Sequence, residues 1–223
     1  IGNLEDITIR AIKQLWSVDV IFAEDTREAH RLLRAYQEHK IKDHLPQLIS
    51  LTDYNEENKI GEVLSFLTTG KDVALISDRG TPLISDPGFK IVRQVIKYSK
   101  NNPIIKLVAL PGPNALLPSL QLSGLSPVPF YYVGFLPKKP QARKNLLQKL
   151  PETTIIAYES PYRLNQTLID IAEVLQEGNI AVCRELTKIH EEVIRGTFIE
   201  VVNHFKIHPP KGELTLVFRK VAS

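Results

Sequence analysis

Residues 77–88 hold the densest group of polar and turn-forming side chains in the chain, with the sequence Ser-Asp-Arg-Gly-Thr-Pro-Leu-Ile-Ser-Asp-Pro-Gly. They follow an apolar run at 73–76 and precede apolar residues spaced as on one face of a helix. Turn formers at this density after a buried strand predict a shaped loop at the carboxyl end of a sheet. Small polar ligands bind at that edge in open α/β folds, so the loop predicts a ligand site.

A second charged group follows the apolar run at 18–23 and consists of Glu24, Asp25 and Arg27. A single acid would be enough to cap the next helix and to complement its dipole. Because two acids and an arginine exceed that need, we predict that Glu24 or Asp25 contacts a substrate hydroxyl. Residues 184–188 also end a predicted strand with charged side chains, and surface charge and function explain them equally well.

Three further loops, residues 111–114, 159–162 and 209–212, share the small and rigid character of the first one. Glycine and proline allow a ligand to approach backbone N–H and C=O groups closely, and such groups suit the edges of adenine and ribose. One loop of this kind is common in α/β proteins and indicates no function by itself. Four of them at one predicted sheet edge favour a binding site.

Several classes of site lack their sequence signatures. The chain has no G-x-G-x-x-G after a strand, no Walker A sequence and no G-x-S-x-G elbow. Its six histidines show no zinc-ligand spacing, so no metal site is predicted. The single cysteine, Cys183, lies in an apolar run and is predicted to be a buried, inert thiol. Short apolar runs and the lack of a secretion signal predict a cytoplasmic protein with no membrane association.

The strand and helix patterns that must position these loops alternate along the chain. They predict an α/β protein with two domains, residues 1–110 and 114–223. We expect a mostly parallel sheet in the first domain and a mixed sheet in the second, where helices are fewer. Since the sequence has no Met and opens on Ile-Gly-Asn, we also expect one strand to precede residue 1. The predicted strands are residues 18–23, 48–51, 73–76, 104–110, 130–135, 154–158, 180–183 and 213–218, with a polar connector at 185–192.

Eight segments resemble, in the correct order, a family of bacterial methyltransferases within the tetrapyrrole methylase superfamily. This family methylates the ribose 2′-oxygen of a cytidine in small-subunit (16S) ribosomal RNA. The matching segments are residues 1–8, 23–27, 77–88, 110–113, 134–137, 158–161, 184–188 and 211–213. The resemblance covers essentially the whole chain. It implies a class III methyltransferase fold, S-adenosylmethionine in a cleft between the two domains, a homodimer, and ribosomal RNA within the assembled small subunit as partner.

The resemblance also implies which residues contact the cofactor, many of them through backbone atoms. Carried over motif by motif, these residues are Gly2, Asn3, Ser77, Asp78, Gly80, Thr81, Pro111, Gly112, Ala115, Tyr158, Glu159, Leu186, Lys211 and Gly212. Position 79 departs from the family pattern, because Arg79 stands where the family usually has a small alanine. A long cation there could crowd the cofactor, point toward RNA, or signal an altered activity.

Cations near the expected cleft are candidates for contact with RNA phosphates. They are Arg27, Lys138, Lys139, Arg143, Lys144 and Arg163. The stretch from 138 to 149 contains five cations and no acid, although a solvated helix face is the usual explanation of such a run. The net charge of +3 neither requires nor excludes nucleic acid.

A ribose hydroxyl is a weak acid, so a general base would assist its attack on the sulfonium methyl group. Glu24, Asp25, Glu159 and Lys188 are the candidates, and the sequence does not rank them. Two other functions stay open. One is methylation of a tetrapyrrole, whose carboxylates would pair with the same lysines. The other is a non-catalytic RNA- or ribosome-binding protein that has lost the cofactor, with Arg79 as the lesion.

Overall fold

A computed structural model describes residues 1–40 and 44–220 of the chain. By the contacts between its residues the chain divides into two compact units, Ile1–Pro113 and Asn114–Ser223. Each unit is an α/β structure with its own sheet, which confirms the predicted fold class. Every helix within the described ranges is too short or too polar to cross a lipid bilayer.

Unit 1 contains a parallel sheet of three strands in the order β2-β1-β3. The central strand β1 is buried at all four positions, because helices cover both faces of the sheet. This arrangement confirms the predicted parallel sheet. The elements are α1 (Ile9–Ser17), β1 (Val20–Ala23), α2 (Thr26–Ala35), β2 (Gln47–Ser50), α3 (Glu56–Thr68), β3 (Val73–Ile76) and α4 (Phe89–Ser99), with 3-10 turns at Leu4–Asp6 and Gln37–His39.

The predicted strand at 104–110 is wrong. These residues form no regular element, and Ile104, Leu107 and Val108 are between 53% and 89% exposed. A run of β-branched and aliphatic residues suits a strand, but a strand also needs a neighbour for its backbone hydrogen bonds. Within the described ranges, the pairings of unit 1 join β1 to β2 and β1 to β3, and none includes this segment.

Unit 2 contains a five-stranded sheet in the order β4-β5-β8-β6-β7. Strands β4 and β5 are parallel and the other pairs are antiparallel, which confirms the predicted mixed sheet. The elements are α5 (Leu116–Ser123), β4 (Phe130–Phe135), α6 (Pro140–Gln148), β5 (Thr154–Glu159), α7 (Leu164–Leu175), β6 (Gly178–Arg184), β7 (Glu192–Thr197), α8 (Phe198–Ile207) and β8 (Leu214–Lys220).

Strand β7 was not predicted, because its first residue was assigned to the end of a polar connector and residues 193–197 were assigned to no element. It is an edge strand that pairs with β6 along its whole length, and its alternating pattern is weak because its outer side faces solvent. Thr197 ends the strand and begins α8 with a capping box to Glu200. On β6, Cys183 is buried and unpaired, as predicted, and burial raises the pKa of its thiol to about 12.

Candidate active site

Acidic residues gather where the parallel strands of unit 1 end. Glu24 follows β1, Asp53 follows β2, and Asp78 follows β3, so the parallel order of the sheet brings them to one edge. Asp86, from the loop after β3, completes this set, which we call the acidic edge. Within the described ranges no group of three or more acidic, histidine or cysteine side chains is arranged to hold a metal ion. Carboxylates gathered at a sheet edge can attract an organic cation and accept hydrogen bonds from hydroxyl groups.

Two carboxyl groups of the acidic edge, those of Glu24 and Asp86, have a raised pKa. Partial burial raises the pKa of Glu24, and the charges of Asp78 and Asp53 raise it further. Burial raises the pKa of Asp86 to about 7, with a further increase from the charge of Glu24 and a small opposing effect of the Ser77 hydroxyl. Near neutral pH the edge therefore holds a proton on Asp86 in a large fraction of molecules.

Asp25 differs from its neighbour Glu24. Its carboxylate accepts three hydrogen bonds from the side chain of Arg27, at 2.6 to 3.1 Å, and one from the Arg27 backbone N–H at 2.8 Å. These bonds lower its pKa to about 2, so the carboxylate is a very weak base. Its backbone N–H donates to Asp78 Oδ1 at 2.9 Å, which joins the ends of β1 and β3. Asp25 is thus the N-cap of α2 and a connection within the edge.

The loop at 77–88 has a strained backbone and is fixed at both of its ends. Leu83 and Ser85 have φ values of 73° and 68°, which non-glycine residues adopt at a cost. Gly88 has φ 126°, and a Cβ atom there would lie 2.4 Å from Leu75 Cδ2, so the close approach to β3 requires glycine. Near the start of the loop, Thr81 Oγ1 donates to the Pro113 carbonyl at 3.0 Å.

Glu56 holds the other end of this loop, and sequence reasoning missed it. It is 5% exposed, and its Oε1 accepts hydrogen bonds from the backbone N–H groups of Gly88 and Lys90 at 3.0 and 2.7 Å. A carboxylate from α3 thereby caps the N-terminus of α4, where its charge also complements the helix dipole. Arg79 lies in the middle of the loop and is exposed.

The motifs of unit 2 meet at one edge of its sheet. Strands β5 and β6 end at Glu159 and Arg184, both of which pair with Leu214 at the start of β8. The segments after β5 and β6 and before β8 therefore lie side by side. Two residues of this edge, Glu185 and Thr187, have φ values of 48° and 65°, so this edge too has a strained backbone.

Glu159 is fully engaged in the interior of unit 2. It is 2% exposed, its Oε1 accepts from the Ser160 N–H at 2.7 Å and from Arg163, and its Oε2 accepts from Thr167 Oγ1 at 2.6 Å. Because both of its oxygens accept from donors within unit 2, this carboxylate stabilises the junction between β5 and α7. The geometry therefore disfavours the predicted role of Glu159 as a general base.

Lys188 is likewise bound by carboxylates. Its Nζ lies 3.0 Å from Glu185 Oε1 and 2.8 Å from Glu213 Oε2, and its side chain is 17% exposed. Glu185 Oε1 also accepts from the Glu213 N–H at 2.8 Å, so the 184–188 and 211–213 segments are tied together. The Lys188 ammonium donates hydrogen bonds to both carboxylates, so its nitrogen is occupied by partners within unit 2. Lys188 is a poor general base in this arrangement.

The predicted phosphate contacts divide into paired and free cations. The structure contradicts the prediction for Arg143, which is 1% exposed and lies against the buried Asp170 with Nε to Oδ2 at 2.7 Å. The alternative explanation of this basic run, a solvated helix face, does not hold at Arg143 either, because α6 packs against α7. Lys144 pairs with Glu173 and Asp170, Arg163 with Glu159, and Arg27 with Asp25.

Lys138 and Lys139, by contrast, are exposed, and neither makes an ion pair with the described residues. They stand in the turn between β4 and α6. Of the six predicted phosphate contacts, these two lysines are therefore exposed and have no carboxylate partner among the described residues.

The predicted cofactor residues occupy three places. Gly2 and Asn3 precede the 3-10 turn at Leu4–Asp6, where Asn3 Oδ1 accepts from the Glu5 N–H at 3.1 Å. Ser77, Asp78, Gly80, Thr81, Pro111 and Gly112 lie in the loops after β3 and before residue 113. Ala115, Tyr158, Glu159, Leu186, Lys211 and Gly212 belong to unit 2, Ala115 as the N-cap of α5 and the others at the sheet edge.

A profile of the family described as Tetrapyrrole (Corrin/Porphyrin) Methylases matches residues 1–202 of the chain. The chain belongs to the tetrapyrrole methylase family. A relative from Bacillus subtilis (strain 168), named "Ribosomal RNA small subunit methyltransferase I", is 43% identical over 97% of this chain and 71% of its own length. A relative of the same name from Thermotoga maritima is 41% identical over 97% of this chain and 93% of its own.

A solved structure of uroporphyrin-III-C-methyltransferase from Thermus thermophilus shares the fold of this tetrapyrrole methylase. The TM-score is 0.61 at 16% sequence identity, and the match covers 97% of this chain and 90% of that one. Membership of the family confirms the recognition made from the order of the motifs, and it confirms that the chain is a methyltransferase. The acidic edge and the unit 2 edge are thus parts of a tetrapyrrole methylase.

Proposed function

We propose that this protein transfers a methyl group from S-adenosylmethionine to the ribose 2′-oxygen of a cytidine in small-subunit ribosomal RNA. The observation that carries this proposal is the identity of 41% and 43% over 97% of the chain to proteins named ribosomal RNA small subunit methyltransferase I. The same relatives favour RNA over a tetrapyrrole as the substrate. A ribosomal substrate would place the enzyme in the cytoplasm.

The described residues fit the cofactor. S-adenosylmethionine, when bound, supplies a methyl group already activated by a positively charged sulfur. The acidic edge offers Glu24, Asp53 and Asp78 to a cation and to ribose hydroxyls. Ser77 Oγ is buried at the same edge and lies beside the carboxyl group of Asp86, whose pKa it lowers slightly. The strained loop between Ser77 and Gly88 brings backbone groups to the same place.

Glu24 is the residue best suited to accept the proton of the ribose hydroxyl. Its pKa is raised, so its carboxylate is a stronger base than an ordinary glutamate, and it stands at the carboxyl end of the central strand. No hydrogen bond or ion pair with the described residues engages its carboxylate. The other three candidates are occupied: Asp25 by Arg27, Glu159 by Arg163, and Lys188 by two carboxylates.

Calorimetric titration and methyl transfer to small subunits test the proposed function together. Titration with S-adenosylmethionine should give saturable binding. Small subunits from bacteria that lack the homologous methyltransferase should then accept labelled methyl groups, and nuclease digestion should yield 2′-O-methylcytidine. Subunits from the parent strain, which already carry the modification, are the matched control and should accept none. Absence of binding would favour a non-catalytic protein, and a base-methylated product would contradict ribose methylation.

Protonation of Asp86 predicts how stability depends on pH. The pKa of Asp86 is about 7 in the folded protein against an ordinary value of 3.8. The folded state therefore holds this proton more tightly, so the contribution to stability is complete below about pH 4 and is lost as the pH rises through about 7. Asp86→Asn mimics the protonated form. The variant should match the wild type in thermal midpoint at pH 3 and exceed it by a margin that grows up to pH 8, and equal midpoints at both pH values would contradict the prediction.

We also propose that the protein forms a homodimer, as the family resemblance implies. Sedimentation equilibrium of the purified protein should give a mass near twice the 25.2 kDa of the chain. A mass equal to that of one chain at micromolar concentration would contradict it.

A further inference from the structure

We propose that the end of β4 and the turn after it form a contact surface for single-stranded RNA. In this surface Phe135 stacks on an unpaired base, and Lys138 and Lys139 bind the adjacent phosphates. The inference rests on the proposed function, because it assigns part of this chain to the RNA substrate. It gives Phe135, which lies in the matched segment 134–137 but had no assigned role, a part in RNA recognition.

A bulge in β4 places Phe135 where it is exposed. The register between β4 and β5 shifts between Tyr132 and Phe135, and Gly134, inside the shift, has φ 70°. A bulge with a left-handed glycine bends a strand and re-aims the next side chain. Phe135 is 56% exposed as a result, although it is the last residue of a strand in a sheet with a large apolar core.

The ring of Phe135 is held in place by other aromatic rings. It packs edge-to-face on Tyr158 with ring centroids 5.6 Å apart, and Tyr158 packs in the same way on Tyr132 at 5.3 Å. Edge-to-face contact uses one edge of a ring and leaves a face available. Unpaired RNA bases stack on such faces, because every base has a π-surface of matching size.

The turn that carries the two lysines is fixed by two arginines, the buried Arg143 and the partly buried Arg163. Arg163 Nη1 donates to the Leu136 carbonyl at 3.2 Å, and Arg143 Nη1 donates to the carbonyls of Pro137 and Lys138 at 3.1 and 3.5 Å. Three successive backbone carbonyls of the turn therefore accept hydrogen bonds from arginine side chains of unit 2. Arg143 and Arg163 were predicted to touch phosphates. In the structure they instead hold the turn that carries the two lysines. Their own charges are neutralised by Glu159 and Asp170.

The surface joins an aromatic ring to free positive charge over a short distance. Lys138 lies three positions after Phe135, a span of at most about 11 Å in an extended chain. Both lysines are exposed and make no ion pair with the described residues. Single-stranded nucleic acid offers the complementary pair, a flat base beside a negative phosphate. A double helix hides its base faces, so we infer that the target nucleotides are unpaired.

The test compares Phe135→Ala with a matched control in the same strand, using small subunits that lack the modification. Phe135→Ala should raise the KM for subunits by about 5- to 150-fold, the range of one base stack. The Kd for S-adenosylmethionine should stay unchanged. Phe135→Tyr should restore the KM, whereas Phe135→Leu, which keeps apolar packing against Tyr158, should not. Phe130→Ala removes another exposed Phe, 42% exposed at the opposite end of β4, and should leave the KM unchanged.

A second measurement tests the lysines. Lys138→Gln and Lys139→Gln should each lower the slope of log affinity against log salt concentration by about 0.7, the value for one phosphate of a single strand.

Each outcome has one meaning. If the wild type methylates subunits and Phe135→Ala leaves their KM unchanged, the proposed surface is wrong while the proposed function stands. If the variant weakens cofactor binding instead, Phe135 belongs to the cofactor site and the inference is also overturned. If the wild type binds and methylates no subunit, the proposed function fails and the surface fails with it.

Discussion

Glu24→Gln is expected to slow single-turnover methyl transfer by about 10²- to 10⁴-fold, the usual contribution of a general base. Gln has the shape of Glu but cannot accept the proton of a ribose hydroxyl at neutral pH. Binding of S-adenosylmethionine should change little, since the other carboxylates of the acidic edge remain. Rapid mixing of enzyme, labelled cofactor and excess small subunits, followed by quenching, measures the rate of the chemical step apart from product release.

Asp25→Asn is the matched control for this experiment. Asp25 is adjacent in sequence, but its carboxylate is bound by Arg27 and its pKa is about 2. Because Asn also caps helices well, α2 should keep its start and the variant should retain most of its rate. If Glu24→Gln also retained its rate to within a factor of ten, accurate positioning of the substrate would supply the rate and no carboxylate would act as base.

The same assignment predicts the direction of a pH effect. The charge of Asp53 raises the pKa of Glu24, and Asp53 is exposed and lies outside the 77–88 loop. In Asp53→Asn the pKa of Glu24 should fall, so the acid limb of the rate-against-pH profile should move to lower pH. A limb that stays in place would show that another group controls it.

The order of short motifs was enough to predict the family and the two α/β units. Turn residues after an apolar run mark the carboxyl end of a strand. In a parallel sheet the carboxyl ends of all strands lie at the same edge. The loops at 77–88 and 159–162 were therefore found from local sequence alone. Glu24 and Asp25 were found for the same reason, as charged residues at the end of β1.

Properties that depend on distant partners could not be predicted. Arg143 and Lys138 are both cations of one short basic stretch, yet one is buried against Asp170 and the other is exposed. Only the packing of α6 on α7 distinguishes them. Similarly, Asp53 and Asp86 gain their importance from strands that pair across long stretches of sequence. The prediction of a strand at 104–110 was wrong for a related reason. The local sequence suits a strand, but no neighbouring strand of unit 1 pairs with it in the described ranges.

Asp170→Asn is expected to destabilise unit 2 by about 3–5 kcal/mol, the cost of leaving a buried charge without its partner. Asp170 is fully buried, and its Oδ2 lies 2.7 Å from Arg143 Nε and 2.5 Å from Nη2. Its Oδ1 also accepts from Gln166 Nε2 at 3.1 Å. Asn keeps the shape but loses the negative charge, so the guanidinium of Arg143 stays in the interior uncompensated. Urea unfolding of the full chain, followed by far-UV circular dichroism, measures the loss.

Two further variants show whether charge is the cause of this loss. Glu173→Gln removes another acid of α7, but Glu173 is 55% exposed and pairs with Lys144 at the surface, so stability should change little. Replacing both partners, in Arg143→Met with Asp170→Leu, should recover much of the stability, because no buried charge remains. The double variant would still lack the donor to the carbonyls of Pro137 and Lys138. A stable protein with a raised KM for small subunits would therefore separate the two roles of Arg143, and failure of the double variant to regain stability would show that packing, not charge, dominates at this site.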